Sequence, residues 1–165
     1  MKKILKKILL ALAILLVLFQ FYPRAKNNIN GSEAQNIGTV HEVPADVQNI
    51  LKTSCYDCHS NNTLYPWYYN IQPVAWWLDD HIKDGKKDLN FSEFAGYRLA
   101  KQYRKLEEID ELVTDNAMPL KSYTLIHTDA KLDDQQKLTL TNWSKQLQAE
   151  MKSRYPADSL IRKKK

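Results

Sequence analysis

The sequence predicts an all-α protein: a small domain of about four helices behind an N-terminal membrane helix. Three observations predict it. Residues 8–19 are wholly apolar and follow four lysines among the first seven positions. Further along, apolar residues recur three and four apart, the spacing of a buried helix face. No stretch sustains the apolar–polar alternation of a half-buried strand.

The N-terminal segment comes first. Lys2, Lys3, Lys6 and Lys7 precede the apolar run, and Ile4 to Tyr22 counts 19 residues. A spanning helix needs roughly 20. The run ends in Phe19-Gln20-Phe21-Tyr22-Pro23, which is bulky where a cleaved signal peptide needs small residues. Residues 1–23 are therefore expected to be an uncleaved anchor, with a cleaved export signal as the alternative. The lysines favour the cytoplasmic side. The rest of the chain is then expected on the periplasmic side of a bacterial inner membrane, or free in the periplasm if the segment is removed.

Residues 24–43, with Asn27, Asn28, Asn30, Gly31, Ser32 and Gly38, read as a flexible tether. The domain is expected over 44–155. Pro44 suits the start of a helix carrying Val47, Ile50 and Leu51 inward. Residues 60–72 form an aromatic loop. A helix after Pro73 turns Val74, Trp77, Leu78 and Ile82 inward and stops at Gly85. Asn90 with Glu93 resembles a capping box, opening a helix that runs to about Thr114. Residues 115–130 return to loop. Asp133 with Gln136 resembles a second box, opening a last helix with Leu140, Trp143, Leu147 and Met151 on one stripe. Residues 156–165 are a basic tail.

The net charge of +5 belongs to the ends. Without the six bases of residues 1–26, which hold no acid, 18 bases face 19 acids. A nucleic-acid partner needs a basic face on the folded part, and none is visible, so nucleic acid is excluded as a partner.

Cys55 and Cys58 are the only two cysteines of the chain, and they stand in Cys55-Tyr56-Asp57-Cys58-His59. Cys-x-x-Cys-His is the attachment signature of c-type haem. Two thiols two residues apart on a helical turn can add to two vinyl groups on one edge of a macrocycle. The adjacent histidine then lies under the ring as an iron ligand. A thioredoxin-type pair asks for a βαβ setting, which is absent. A zinc site asks for four ligands, while His41, His81 and His127 are scattered singly. The expectation is one covalent haem c on Cys55 and Cys58, with His59 as proximal ligand. Pro66 is the local candidate for the carbonyl that orients His59, alongside a reading in which it only shapes its loop.

Methionine or histidine commonly completes the iron of electron carriers. Met151 lies on an apolar helix stripe and reads as core. Met118, in a loop before proline, is the candidate sixth ligand, against the alternative of a methionine filling a core gap. His127 is the runner-up. His81 reads as a solvated helix residue and His41 as part of the tether. Tyr65, Trp67, Tyr68, Tyr69, Trp76 and Trp77 either wall the cofactor or form ordinary core.

Several phrases carry a family resemblance. They are Val43-Pro44-Ala45-Asp46-Val47-Gln48, Cys55-Tyr56-Asp57-Cys58-His59-Ser60-Asn61, Tyr65-Pro66-Trp67-Tyr68 and Ile71-Gln72-Pro73-Val74. Leu89-Asn90-Phe91-Ser92-Glu93, Lys105-Leu106-Glu107-Glu108-Ile109 and Met118-Pro119-Leu120-Lys121-Ser122-Tyr123 continue the series. Over roughly residues 43–150 the chain resembles the haem-binding domain family of exported Bacteroidetes-type bacterial proteins. The resemblance implies a cytochrome-c-like domain and strengthens Met118 as axial ligand. With a closed iron, the expected role is a membrane-tethered, single-haem electron carrier whose partners are redox proteins and whose chemistry involves no small-molecule substrate. The competing expectations are a peroxidase-like haem enzyme or a sensor, each of which needs an open sixth position.

Overall fold

The structure is a computed structural model, and it describes residues 1–24, 26, 27 and 33–161. Among these residues every extended element is a helix or a 3-10 turn.

Helix α1 covers Lys2–Phe19 and buries none of its residues. It corrects the expected membrane helix. Among the described residues no helix is long and apolar enough to cross a membrane. The physical reason is where the lysines fall. Four of the 18 helical residues are Lys2, Lys3, Lys6 and Lys7, so the unbroken apolar run is only Ile8–Phe19. Those 12 residues rise about 18 Å, against a hydrocarbon core of about 30 Å. The residues after Phe19 do not extend the helix. Gln20 turns to the domain instead, where its side-chain amide exchanges two hydrogen bonds with the backbone of Gln72, at 2.9 and 3.1 Å.

The stretch expected as a flexible tether contributes to the core. Residues Glu33–Gln35 and Ile37–Thr39 form 3-10 turns, and Ile37 is fully buried. The Glu42 carbonyl accepts the Trp143 indole N–H at 3.0 Å. A single apolar residue among polar ones gives no periodic signal, which is why this packing was not expected.

Helix α2 (Ala45–Ser54) buries Val47, Ile50 and Leu51 as its stripe requires. A separate turn, α3 (Tyr56–His59), follows. Helix α4 runs Val74–Asp88, through Gly85 rather than stopping there. It buries Ala75, Leu78, Asp79 and Ile82, while Trp77 faces outward, 42% exposed. Tyr69 packs with Ala75, Leu78 and Ile82 in a small second core flanked by Tyr65 and Tyr68.

Asn90 does cap, but it caps a 3-10 turn. Its side chain accepts from the Ser92 N–H at 3.1 Å, and the turn spans Phe91–Gly96. Glu93 accepts from Asn61 instead of closing the box. Helix α5 (Leu99–Thr114) begins only after Tyr97 and Arg98. Helix α6 is the single turn Lys121–Thr124. Helix α7 (Asp134–Arg154) opens with the expected capping box, Asp133 and Gln136 each bonding the other's backbone N–H. A last turn, α8, covers Ala157–Leu160.

The main core lies where α5 packs along α7, closed by α2 and α8. Tyr103, Leu106 and Val113 of α5 meet Leu140, Trp143, Leu147 and Met151 of α7. Met151 is core, as its spacing requires. The edge of this core carries the site.

Candidate cofactor site

Helix α2 delivers Cys55 to the edge of the core, where the chain turns sharply. The Cys55 carbonyl accepts the N–H groups of Cys58 at 3.2 Å and His59 at 2.9 Å. This turn gathers both cysteines and the histidine at one place. Both cysteines are free. Burial pushes the Cys55 thiol up to about 12 and the Cys58 thiol up to about 11. Catalytic redox cysteines have the opposite property, a lowered pKa. The all-helical setting disfavours a thioredoxin-type pair.

Nδ1 of His59 lies 2.9 Å from the Leu89 carbonyl oxygen. A carbonyl can only accept, so Nδ1 carries the proton and Nε2 keeps its lone pair. Burial lowers the pKa of the ring and favours the neutral form. A neutral imidazole with one nitrogen fixed by a carbonyl is the usual state of a metal ligand. The orienting acceptor is therefore Leu89, not Pro66. Pro66 instead precedes the 3-10 turn Trp67–Asn70.

Gly85 faces the same turn. A Cβ at Gly85 would sit 2.7 Å from the Cys58 carbonyl oxygen. The position is a close approach between α4 and the attachment turn, which only glycine permits.

Met118 is brought in by the end of α5. Asn116 has φ 55°, the left-handed conformation that closes many helices. The N–H of Asn116 bonds the Val113 carbonyl, and the N–H groups of Ala117 and Met118 both bond the Leu112 carbonyl, at 2.9 and 3.1 Å. This Schellman-type cap fixes the backbone at Met118.

A cleft of about 260 Å³ lies between these parts, with Cys55, Cys58, His59 and Met118 all on its walls. An adjoining hollow of about 70 Å³ shares Cys55, His59 and Met118 and is lined by apolar side chains such as Leu51, Phe91 and Leu140. The four sequence-expected residues thus meet at one place. His127 does not line either hollow. Its Nε2 is hydrogen-bonded to the Tyr68 hydroxyl, and its ring stacks on Tyr123 with centroids 4.4 Å apart. His41 packs edge-on against Phe94. Trp67 and Trp76 are exposed and do not wall the cleft.

Three features escaped the sequence reading. Asp80, Asp84 and Asp88 recur every four residues along α4 and line the cleft, with His81 beside them. That spacing was legible, but helical acids ordinarily face solvent. Lys105 is buried, and its Nζ bonds Asp88 at 2.7 Å and Glu108 at 2.5 Å. Tyr123 also lines the cleft and donates its hydroxyl to Asp57 Oδ2 at 2.8 Å. Burial and that carboxylate push the Tyr123 hydroxyl far above its ordinary value, so it remains a donor.

Among the described residues no three His, Cys, Asp or Glu side chains cluster as a metal site, which leaves zinc without a ligand set. The residues do fit a haem: two adjacent thiols, an imidazole with its proton held on Nδ1, a methionine on the same cleft, and an adjoining hollow with apolar walls.

Comparison with known proteins agrees with this chemistry. A family model described as a haem-binding domain matches residues 14–146. Cytochrome c peroxidase Ccp of Escherichia coli (strain K12) is 27% identical over 104 residues, 61% of this chain. The match spans 22% of that relative's length. No solved structure matches the chain.

Proposed function

Because the chain belongs to the haem-binding domain family and so takes haem as its cofactor, we propose that it holds one covalent haem c and works as an electron carrier. Cys55 and Cys58 would form the thioether links, and His59 and Met118 would bind the iron. The observation that carries this reading is the shared cleft. His59, with its proton fixed on Nδ1 by Leu89, and Met118, fixed by the α5 cap, line the same cavity. Haem supplies one-electron chemistry when bound. The chain's own part would be to offer His59 and Met118 to the iron, to wall the inner hollow with apolar side chains and to keep His59 neutral. Met/His ligation suits a raised potential and leaves no coordination site for substrate.

The proposed setting is outside the cytoplasmic membrane, with redox proteins as partners. A 12-residue apolar run behind four lysines has the length of a signal-segment core.

A second reading, a peroxidase-like haem enzyme, is suggested by the similarity to the Escherichia coli cytochrome c peroxidase. It requires an open sixth position. The visible spectra of the oxidised and reduced protein, with and without carbon monoxide, separate the two. A six-coordinate spectrum that resists carbon monoxide supports the carrier. Ready binding of carbon monoxide or peroxide by the wild-type protein supports the enzyme.

A further inference from the structure

We propose that Asp57, inside the attachment motif, is a positioning residue that clasps the Met118 loop to the haem turn through Tyr123. The inference rests on Met118 being an iron ligand.

Thioether formation requires Cys55 and Cys58 and iron binding requires His59, but neither constrains the two residues between the cysteines. A carboxylate at one of them therefore serves something else. Both of its oxygens are engaged. Oδ1 accepts the Leu64 N–H at 2.9 Å, and Oδ2 accepts the Tyr123 hydroxyl at 2.8 Å. The Asp57 backbone carbonyl also accepts the Thr63 hydroxyl at 2.7 Å. One residue thus joins the attachment turn, the loop behind it and helix α6.

Tyr123 is suited to transmit this hold. Its ring stacks on His127 at 15° between planes, and His127 is in turn hydrogen-bonded to Tyr68. Its own N–H bonds the Leu120 carbonyl at 3.0 Å. Met118, Pro119, Leu120 and Tyr123 all line the cleft. The segment 118–123 is pinned upstream by the Leu112 carbonyl and downstream by Asp57. Asp57 is two residues from His59, so the downstream pin ties the Met118 side of the cleft to the His59 side. Without it, the downstream hold on the segment is left to the stacking of Tyr123 on His127.

The test uses the full-length holoprotein. Tyr123→Phe keeps the ring on His127 and removes only the hydroxyl. A hydrogen bond to a charged acceptor stabilises strongly enough that its loss shifts an equilibrium roughly 10-fold or more. The affinity of the reduced protein for carbon monoxide, which competes with Met118, is expected to rise by that factor. The long-wavelength sulfur-to-iron charge-transfer band of the oxidised protein is expected to weaken. Asp57→Asn keeps an oxygen to accept from Tyr123 and is expected to fall between wild type and Tyr123→Phe. Wild-type band and affinity in Tyr123→Phe overturn the clasp. If Tyr123→Phe yields no holoprotein, Asp57→Asn decides alone, and wild-type values there overturn it. Met118→Ala separates the two levels of inference. If it leaves the band and affinity unchanged, the His/Met reading itself fails. If it opens the iron while Tyr123→Phe does not, only the clasp fails.

Discussion

Nδ1 of His59 donates to the carbonyl oxygen of Leu89 across 2.9 Å, joining residues thirty positions apart in the chain. A helix-borne attachment turn and the strand-like exit of α4 are thereby held in one register, and Nε2 is left as the ring nitrogen without a proton. A backbone acceptor cannot be deleted by mutating Leu89, so its effect is read at its neighbours.

The first neighbour is Gly85. Alanine there gains about 1 kcal/mol of helix propensity. Its Cβ would meet the Cys58 carbonyl oxygen at 2.7 Å, and overpacking costs about 1–3 kcal/mol. The obstacle is backbone, which yields poorly, so the clash wins. Gly85→Ala is expected to lose up to about 2 kcal/mol in denaturant unfolding of the holoprotein. A gain in stability would show that α4 and the attachment turn are not in close contact.

Asn116 offers a test at the other wall. Its φ of 55° is tolerated by asparagine and glycine and strained for a β-branched residue. Asn116→Gly is expected to be near neutral, and Asn116→Val to cost about 1–3 kcal/mol. The valine variant should also bind carbon monoxide more readily, because the cap sets the backbone of Met118. Equal stability of the two variants would contradict the left-handed cap.

Lys105 gives a pH dependence. Burial by itself lowers its pKa, but the Asp88 and Glu108 carboxylates outweigh burial and hold it above its ordinary 10.5. A folded value above the unfolded one means that the stabilisation is fully present below pH 10.5 and is lost as pH rises through the folded value. Lys105→Gln is expected to lower stability at neutral pH by about 1–2 kcal/mol, discounted because Asp88 is largely exposed. It should also flatten the decline of stability above pH 10.5. An unchanged alkaline limb would mean that another group sets it. Removing this cation near His59 is also expected to lower the reduction potential, as measured by redox titration.

How far the sequence reading carried depends on the kind of signal. Helix α7 was legible in its start and in its buried stripe. Leu140, Trp143, Leu147 and Met151 form its buried stripe, and Asp133 with Gln136 form its capping box. The cysteines, His59 and Met118 were singled out by residue type and setting, and they meet on one cleft. Long-range backbone partners left no trace in residue type, so Pro66 was expected where Leu89 stands. Gly85 was read as a helix stop because a stop and a close contact both select glycine. Asn90 was read as opening a long helix because a cap residue does not distinguish a 3-10 turn from an α-helix. The membrane helix was expected by counting Ile4 to Tyr22 as one apolar stretch. The helix ends at Phe19, and two of its lysines, Lys6 and Lys7, fall inside that count.

Covalent attachment through Cys55 and Cys58 is tested most directly by the mass of the acid-extracted protein. The full chain, produced in a host with c-type maturation, is denatured in acidic organic solvent and weighed, beside the Cys55→Ser/Cys58→Ser variant. The expected result is wild-type protein heavier by one haem and a variant that releases its haem to the solvent. Wild-type protein that weighs as bare polypeptide, or a double-serine variant that retains its haem, would contradict attachment at this motif.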